Sequence, residues 1–327
     1  MNHFVVGGAG FIGSHLVKAI HEEEGEARVT VYDNFSSGRM WHLEDVKDHP
    51  NLEVIEGDIK DDRKLRLASS GADIVYHLAS NPDIARAITE PDIDFWEGTY
   101  LTNNVLEAMR VNGIKYIAYA SGSGVYGDTG TLEVDEDYSP MRPISTYGAS
   151  KLACEALICS YCHMFDMSAA ALRFANVVGP HQTHGVGYDF VRKLMQNTEE
   201  LLILGDGEQS KSYIHVSDVV SAMLMLAKSL PESDIVCCNV ATTDYLRVVE
   251  IAEIVTDTMG LQGVRYKFTG GDRGWKGDVP IVRFNTDRVR QMGWRNRYDS
   301  RQAIAESVKS IYEDAKANRF GWERQEK

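Results

Sequence analysis

The stretch VVGGAGFIGSHL, residues 5–16, sets Gly7, Gly10 and Gly13 between a β-branched run and an apolar helical pattern. Glycines at this spacing, after a strand ending at Val6 and before a helix opening near Phe11, let backbone N–H groups and the helix N-terminus receive a pyrophosphate. The pattern is informative only in context, and the context is present. Asp33 closes the next run, VTVY, 20 residues after Gly13. There its carboxylate is expected to bond both adenosine ribose hydroxyls and to repel a 2′-phosphate. The expected cofactor is NAD rather than NADP, with nearby Arg39 the residue that argues the other way. Phe11, Ile12, Asn34, Ser37 and Gly38 fall in the same two loops and are expected to line the site.

Short β-branched runs alternate with helical patterns through the first half: FVV, VTVY, LEVIE, DIVYHLA, IKYIAYA and SAAALRF. Strands alternating with helices predict an α/β chain whose parallel sheet is doubly wound, a Rossmann arrangement. Several runs are apolar throughout, as strands covered on both faces must be. Ligands of such sheets bind at the carboxyl ends of the strands, which selects Asp58 and Ile59 after LEVIE and Leu78, Ala79 and Ser80 after DIVYH. Beyond residue 175 loops such as LGDGEQSKS and TGGDRGWKGDVP become frequent. The chain is therefore divided into an NAD-binding domain, 1–175, and a smaller substrate domain, 176–327, with segments near 213–240 returning to the sheet. The tail NRFGWERQEK is expected to fray.

A formal net charge of -14 argues against nucleic acid or an anionic membrane surface as partner, since either needs a basic face. No run approaches the length of a membrane span and no basic leader precedes the first strand, so a cytoplasmic setting is expected. Cys154, Cys159, Cys162, Cys237 and Cys238 are odd in number and unpaired in spacing, which favours reduced thiols and no metal site. His181 and His184 in PHQTHG are too few for a ligand set.

Residues 145–157, STYGASKLACEAL, put Tyr147 and Lys151 four apart on one helix face. A tyrosine is a poor base at neutral pH, but an ammonium beside it and an oxidised nicotinamide favour the phenolate. The pair can then take a proton from a hydroxyl as hydride leaves the adjoining carbon. ASGSGVYGD, 120–128, could be an ordinary turn or an active-site loop; following a strand and preceding that helix, it is read as the latter.

Taken together, GGAGFIG, the Asp33 strand end, GDI, HLAS, VYG, YGASK, RFANVVGP and GDRGWKGDVP resemble the extended short-chain dehydrogenase/reductases, specifically the nucleotide-sugar epimerases and most of all archaeal UDP-glucose 4-epimerases. The resemblance runs essentially end to end. It implies that Tyr147 is the base, that Lys151 holds the nicotinamide ribose, and that Asn176 and Arg273 meet the nucleotide diphosphate. Lys211 stands where the family commonly has an arginine, a point charge in place of a bidentate fork. The family's asparagine before the third helix is Gly98 here. Its serine or threonine in the active-site loop is Gly122. Ser123 is the expected substitute hydroxyl, with Ser121, a water over Gly122 or no hydroxyl as alternatives. Only Ser123 and Gly124 separate that position from Val125, so the acid that a 4,6-dehydratase needs is missing. The implied activity is C4 epimerisation of UDP-glucose and UDP-galactose; the rivals are a dehydrogenase or reductase on the same scaffold and a non-catalytic nucleotide sensor. The resemblance also implies a homodimer packed through helices near 92–112 and 147–164, with Leu101, Val105, Met109, Leu157 and Tyr161 as candidate seam residues unless they cover the sheet.

Overall fold

A computed structural model describes residues 1–322. Its centre is a seven-stranded parallel sheet of β1 (Asn2–Val6), β2 (Arg28–Asp33), β3 (Leu52–Glu56), β4 (Ile74–His77), β5 (Tyr116–Gly122), β6 (Ser168–Phe174) and β7 (Ile235–Val240), ordered β3-β2-β1-β4-β5-β6-β7. Val5 is in register with Val31 on one side and Tyr76 on the other. The winding direction reverses between β1 and β4, which opens a crevice at their carboxyl ends.

Helices cover both faces, which is why the strands read as unbroken apolar runs; all seven residues of SAAALRF are buried. On one face lie α1 (Phe11–Glu23) and α6 (Val216–Ala227), burying Leu16, Val17, Ile20, Val219 and Met223. The other face carries α2 (Asp62–Ala68), α3 (Tyr100–Asn112) and α4 (Thr146–Phe165), with Leu65, Leu106, Cys154 and Ile158 in its core. A third core joins α5 (Val186–Gln196), α7 (Val248–Met259) and α9 (Ser300–Lys316) through Leu194, Ile251, Val255, Ile304 and Val308; α8 (Asp287–Gln291) is a short turn of helix before α9. Two-residue to four-residue ladders tie this later part together, among them Asn176–Val178 with Tyr213–His215.

Two expectations need correction, on the seam residues and on the tail. Leu101, Val105 and Met109 are at most 5% exposed and pack into the core against the sheet, so they are not free to form a seam with another copy. As expected, the helix starts near residue 92: residues 93 and 94 are already helical, a π-helical turn, Phe95–Thr99, follows, and α3 continues from Tyr100 without a break. There a Cβ on Gly98 would press on the Ser150 hydroxyl of α4, which would have to turn away. The tail is also better anchored than its composition suggests: Trp322 Nε1 donates to Tyr188 Oη at 3.0 Å and Phe320 stacks on Trp322. The last five residues of that tail, 323–327, lie outside the described residues.

The crossing of α1 over β1 depends on Gly13, whose added Cβ would sit 2.3 Å from the Gly7 carbonyl and 2.7 Å from Gly8 Cα. Backbone cannot yield as a side chain does, so Gly13→Ala should cost about 1–3 kcal/mol of unfolding free energy or more. At Gly122 the same Cβ meets nothing within 4 Å, and Gly122→Ala should change stability by less than about 1 kcal/mol. Denaturant titration of both variants checks the contrast; equal losses would show that the helix does not cross so tightly.

Candidate active site

The crevice between β1 and β4 is shaped by backbone. Gly7 has φ +79°, and a Cβ there would stand 2.9 Å from Ala79 N, so the strand end Leu78–Ser80 closes onto the glycine loop itself. Gly10 caps α1 without a side chain, no acidic residue occupies the first turn, and the helix N-terminus is left for an outside anion. Phe11 is buried, so only its backbone can face that anion, while Ile12 is half-buried.

Asp33 organises the neighbouring loop. Its Oδ2 accepts from Ala9 N at 2.9 Å and its Oδ1 from Phe35 N at 2.8 Å. Burial pushes this carboxyl upward, and the two N–H groups and Arg39 pull it back. Gly38 packs so closely that a Cβ would come 2.8 Å from Asp33 Oδ1, with half-buried Ser37 beside it. Arg39 turns onto its own loop, Nη1 donating to the Gly38 carbonyl at 2.7 Å. Asn34 Nδ2 donates to Asp58 Oδ2 at 3.3 Å, and Asn104 Nδ2 donates to the carbonyl of buried Ile59 at 3.3 Å. A floor without Cβ atoms, an uncapped helix end and an acidic strand end together fit a dinucleotide.

Helix α4 starts at a Ser145 cap that accepts from Gly148 N at 3.1 Å. Lys151, 4% exposed, donates from Nζ to the Ala120 carbonyl at 2.7 Å and lies 5.4 Å from the centre of the Tyr147 ring. One turn on, Glu155 accepts from Ser121 Oγ at 2.6 Å. The i and i+4 residues of the helix thus grip consecutive residues of the strand end. Arg173 closes this clamp from β6 with a fork onto Glu155, Nε to Oε1 at 3.0 Å and Nη2 to Oε2 at 2.8 Å. Burial works against the Arg173 charge, but the fork to Glu155 outweighs it and holds the guanidinium protonated. Arg173 Nη1 also donates to Tyr126 Oη at 2.9 Å, which in turn donates to Asn239 Oδ1 at 2.6 Å.

Loop and helix touch through glycine: a Cβ on Gly148 would be 2.4 Å from the Gly124 carbonyl. The backbone stays extended through Gly122, then bends at a 3-10 turn over Ser123–Val125. Ser121 is therefore committed to Glu155, whereas half-buried Ser123 makes no side-chain hydrogen bond among the described residues. Asn176 Nδ2 donates to the Ser212 carbonyl at 3.3 Å, next to Lys211. Lys211 Nζ pairs with Asp278 Oδ1 at 2.5 Å, and Arg273 Nη1 donates to the Asp278 carbonyl at 2.7 Å. Lys211 and Arg273 are thereby joined through Asp278 into one wall, with Asn176 against the backbone beside Lys211.

The sequence reading missed Glu155, Arg173 and Asp94. Two of them left a signal. Glu155 follows Lys151 at helical spacing, and Arg173 is a lone charge inside an apolar strand, where it must have a partner. Asp94 left none. It is 1% exposed, accepts from Thr146 Oγ1 at 2.6 Å and from Asn81 Nδ2 at 2.9 Å, and so ties the loop after Ser80 to the residue before Tyr147.

A parallel sheet with this glycine crevice and a tyrosine–lysine helix beside it defines a dinucleotide-dependent enzyme class. The profile of the NAD dependent epimerase/dehydratase family matches residues 3–238, and the chain belongs to that family of NAD-dependent enzymes. A Methanocaldococcus jannaschii protein provisionally named UDP-glucose 4-epimerase is 31% identical over 310 residues, 93% of this chain and 96% of the relative. The human dTDP-D-glucose 4,6-dehydratase is 26% identical over 336 residues, 99% of this chain and 92% of that one. Among solved structures, a UDP-galactose 4-epimerase superposes with TM-score 0.84 at 35% identity, covering 96% of this chain and 99% of its own. The Thermus thermophilus UDP-glucose 4-epimerase in complex with NAD gives 0.84 at 26% identity, covering 95% and 99%.

A histidine touches the cofactor loop from behind. His42 donates from Nδ1 to the Ala9 carbonyl at 2.8 Å and stacks on His181 at 5.2 Å between ring centres. Burial lowers His42 from 6.5 to about 4. Such a group binds its proton in the unfolded chain first, so its contribution is complete above pH 6.5 and is lost as pH falls towards 4. At pH 5 the expected loss from His42 is about 2 kcal/mol. His21 and His215 are lowered to about 4 by burial as well, so His42→Gln, which keeps a donor for Ala9, should reduce the slope of stability against pH over that interval by about that amount in denaturant titrations, without abolishing it.

Proposed function

We propose that the protein is a nucleotide-sugar 4-epimerase, most specifically one interconverting UDP-glucose and UDP-galactose. The observation that carries this reading is the site's inventory: a tyrosine–lysine pair stands beside the crevice, and no carboxylic acid lies between Gly122 and Val125. Without that acid a 4,6-dehydration has no proton donor in the loop. The epimerases among the similar proteins support the same choice.

Bound NAD supplies reversible hydride acceptance at sugar C4. Tyr147, as phenolate, takes the 4-hydroxyl proton and returns it after the 4-keto sugar has turned over in the site. Lys151, fixed on the Ala120 carbonyl, favours the phenolate and holds the nicotinamide ribose. Ser123 supplies the hydroxyl that Gly122 lacks, since Ser121 is held by Glu155. Asp33, Gly7, Gly10 and Gly13 hold the adenosine and pyrophosphate; Asn176, Lys211 and Arg273 hold the sugar nucleotide's diphosphate. In this reading residues 1–175 with the 213–240 segment bind cofactor, and the remainder of 176–327 binds substrate.

The setting is proposed to be cytoplasmic; among the described residues no helix is long and apolar enough to cross a membrane. A homodimer through α3 and α4 is retained, with half-buried Leu157 and Tyr161 still in its seam and with Val111 and Met164, 48% and 70% exposed on these helices, in place of the buried residues of α3. A monomeric mass by light scattering at micromolar concentration overturns it.

Epimerisation consumes no redox equivalent, so protein incubated with UDP-glucose and no added NAD should form UDP-galactose, followed by NMR. Dependence on exchanging cofactor would indicate a dehydrogenase or reductase instead. Tyr147→Phe should abolish turnover without unfolding the chain; more than about a tenth of the wild-type rate, a loss under ~1.4 kcal/mol, means another base. Ser123→Ala should lower the rate about 10- to 100-fold, while Ser121→Ala acts mainly on stability.

A further inference from the structure

Four charges of alternating sign run from the substrate wall to the active-site loop. Lys211 pairs with Asp278, whose Oδ2 also accepts from Gly274 N at 3.2 Å. Arg273 Nη1 donates to the Asp278 carbonyl, and its Nη2 donates to Asp128 Oδ2 at 2.6 Å. Asp128 Oδ1 accepts from Gly130 N at 3.1 Å. The Arg273 hydrogen bond, foremost, holds the Asp128 carboxyl below its ordinary range.

The two ends of this line differ in strength. Lys211 and Asp278 are 19% and 12% exposed, whereas Arg273 and Asp128 are 32% and 30% exposed. Solvent screens the second pair more, and exposed pairs of this kind are weak enough to exchange. Their mountings differ as well. Asp128 follows Gly127, where a Cβ would come 1.9 Å from the Arg142 carbonyl, and Tyr126 is locked to Arg173 and Asn239. Asp128 is thus a fixed post. Arg273 follows Gly270 and Gly271, both at positive φ and in open space.

A diphosphate presents oxygens that accept the same guanidinium fork as a carboxylate, with greater charge. It must compete with Asp128 for Arg273. We propose that Asp128 is a positioning residue that sets the site's affinity: an internal anion that holds Arg273 in place and yields it to a diphosphate, so that every ligand taking the arginine binds more weakly by what that pair is worth. The proposal rests on the reading of Arg273 as a diphosphate contact.

Calorimetric titration with UDP and with dTDP tests it. Asp128→Asn should tighten the nucleotide diphosphate that binds by about threefold to tenfold, and tighten the corresponding monophosphate by no more than that. Arg273→Met should weaken the diphosphate at least about tenfold, and in that background Asp128→Asn should bring no gain. Unchanged or weaker binding by Asp128→Asn, with the Arg273→Met loss intact, overturns the competitor role alone. If Arg273→Met binds as the wild type does, or neither nucleotide binds the wild type, the diphosphate reading itself is overturned and this inference with it.

Discussion

The candidate site hangs on a buried ion pair. Arg173 stands in β6 at 2% exposure, and its charge is tolerable there only because Glu155 meets it with two parallel hydrogen bonds. Glu155 belongs to the helix that carries Tyr147 and Lys151, and it also takes the hydroxyl of Ser121 at the end of β5. One carboxylate therefore fixes three elements relative to one another: β6, the helix that carries Tyr147 and Lys151, and the end of β5 from which the loop leaves. A similar apolar volume could be as stable, but it would not specify the register of helix against strand.

Contacts on either side finish the placement. Lys151 reaches the Ala120 carbonyl, so the helix is held at two successive strand residues rather than one. Gly124 and Gly148 let the two backbones touch, which brings the loop closer to Tyr147 than any side chain would allow. Asp94 ties the first turn of the helix to the loop leaving β4. The Tyr147 side and the glycine-loop side of the crevice are in this way tied together, the preorganisation that the proposed transfer of a hydride and a proton at one carbon requires.

The family likeness and the geometry answer different questions. The family profile establishes NAD-dependent chemistry, while dehydratases as well as epimerases lie among the similar proteins. The proposed choice between them rests on the end of β5 and the turn after it, where Gly122, Ser123 and Gly124 offer one hydroxyl and no acid. The open space over Gly122 also leaves a floor wider than a serine or threonine would give, next to where the sugar is proposed to turn.

The sequence by itself determined the sheet, the crevice and the tyrosine–lysine pair, because each rests on short-range regularities: apolar runs, glycines at fixed offsets, and two residues one helical turn apart. It also separated Ser121 from Ser123 by their distance from the buried strand. It did not reach what depends on partners far along the chain. Arg173 finds Glu155 18 residues away and Tyr126 47 away, and Arg273 finds Asp128 across 145 residues. Leu101, Val105 and Met109 have the spacing of a seam, yet the same spacing serves a face turned to the sheet, and only packing shows which. Helical periodicity gives the angle of a side chain about its axis; what stands opposite is decided by the tertiary fold.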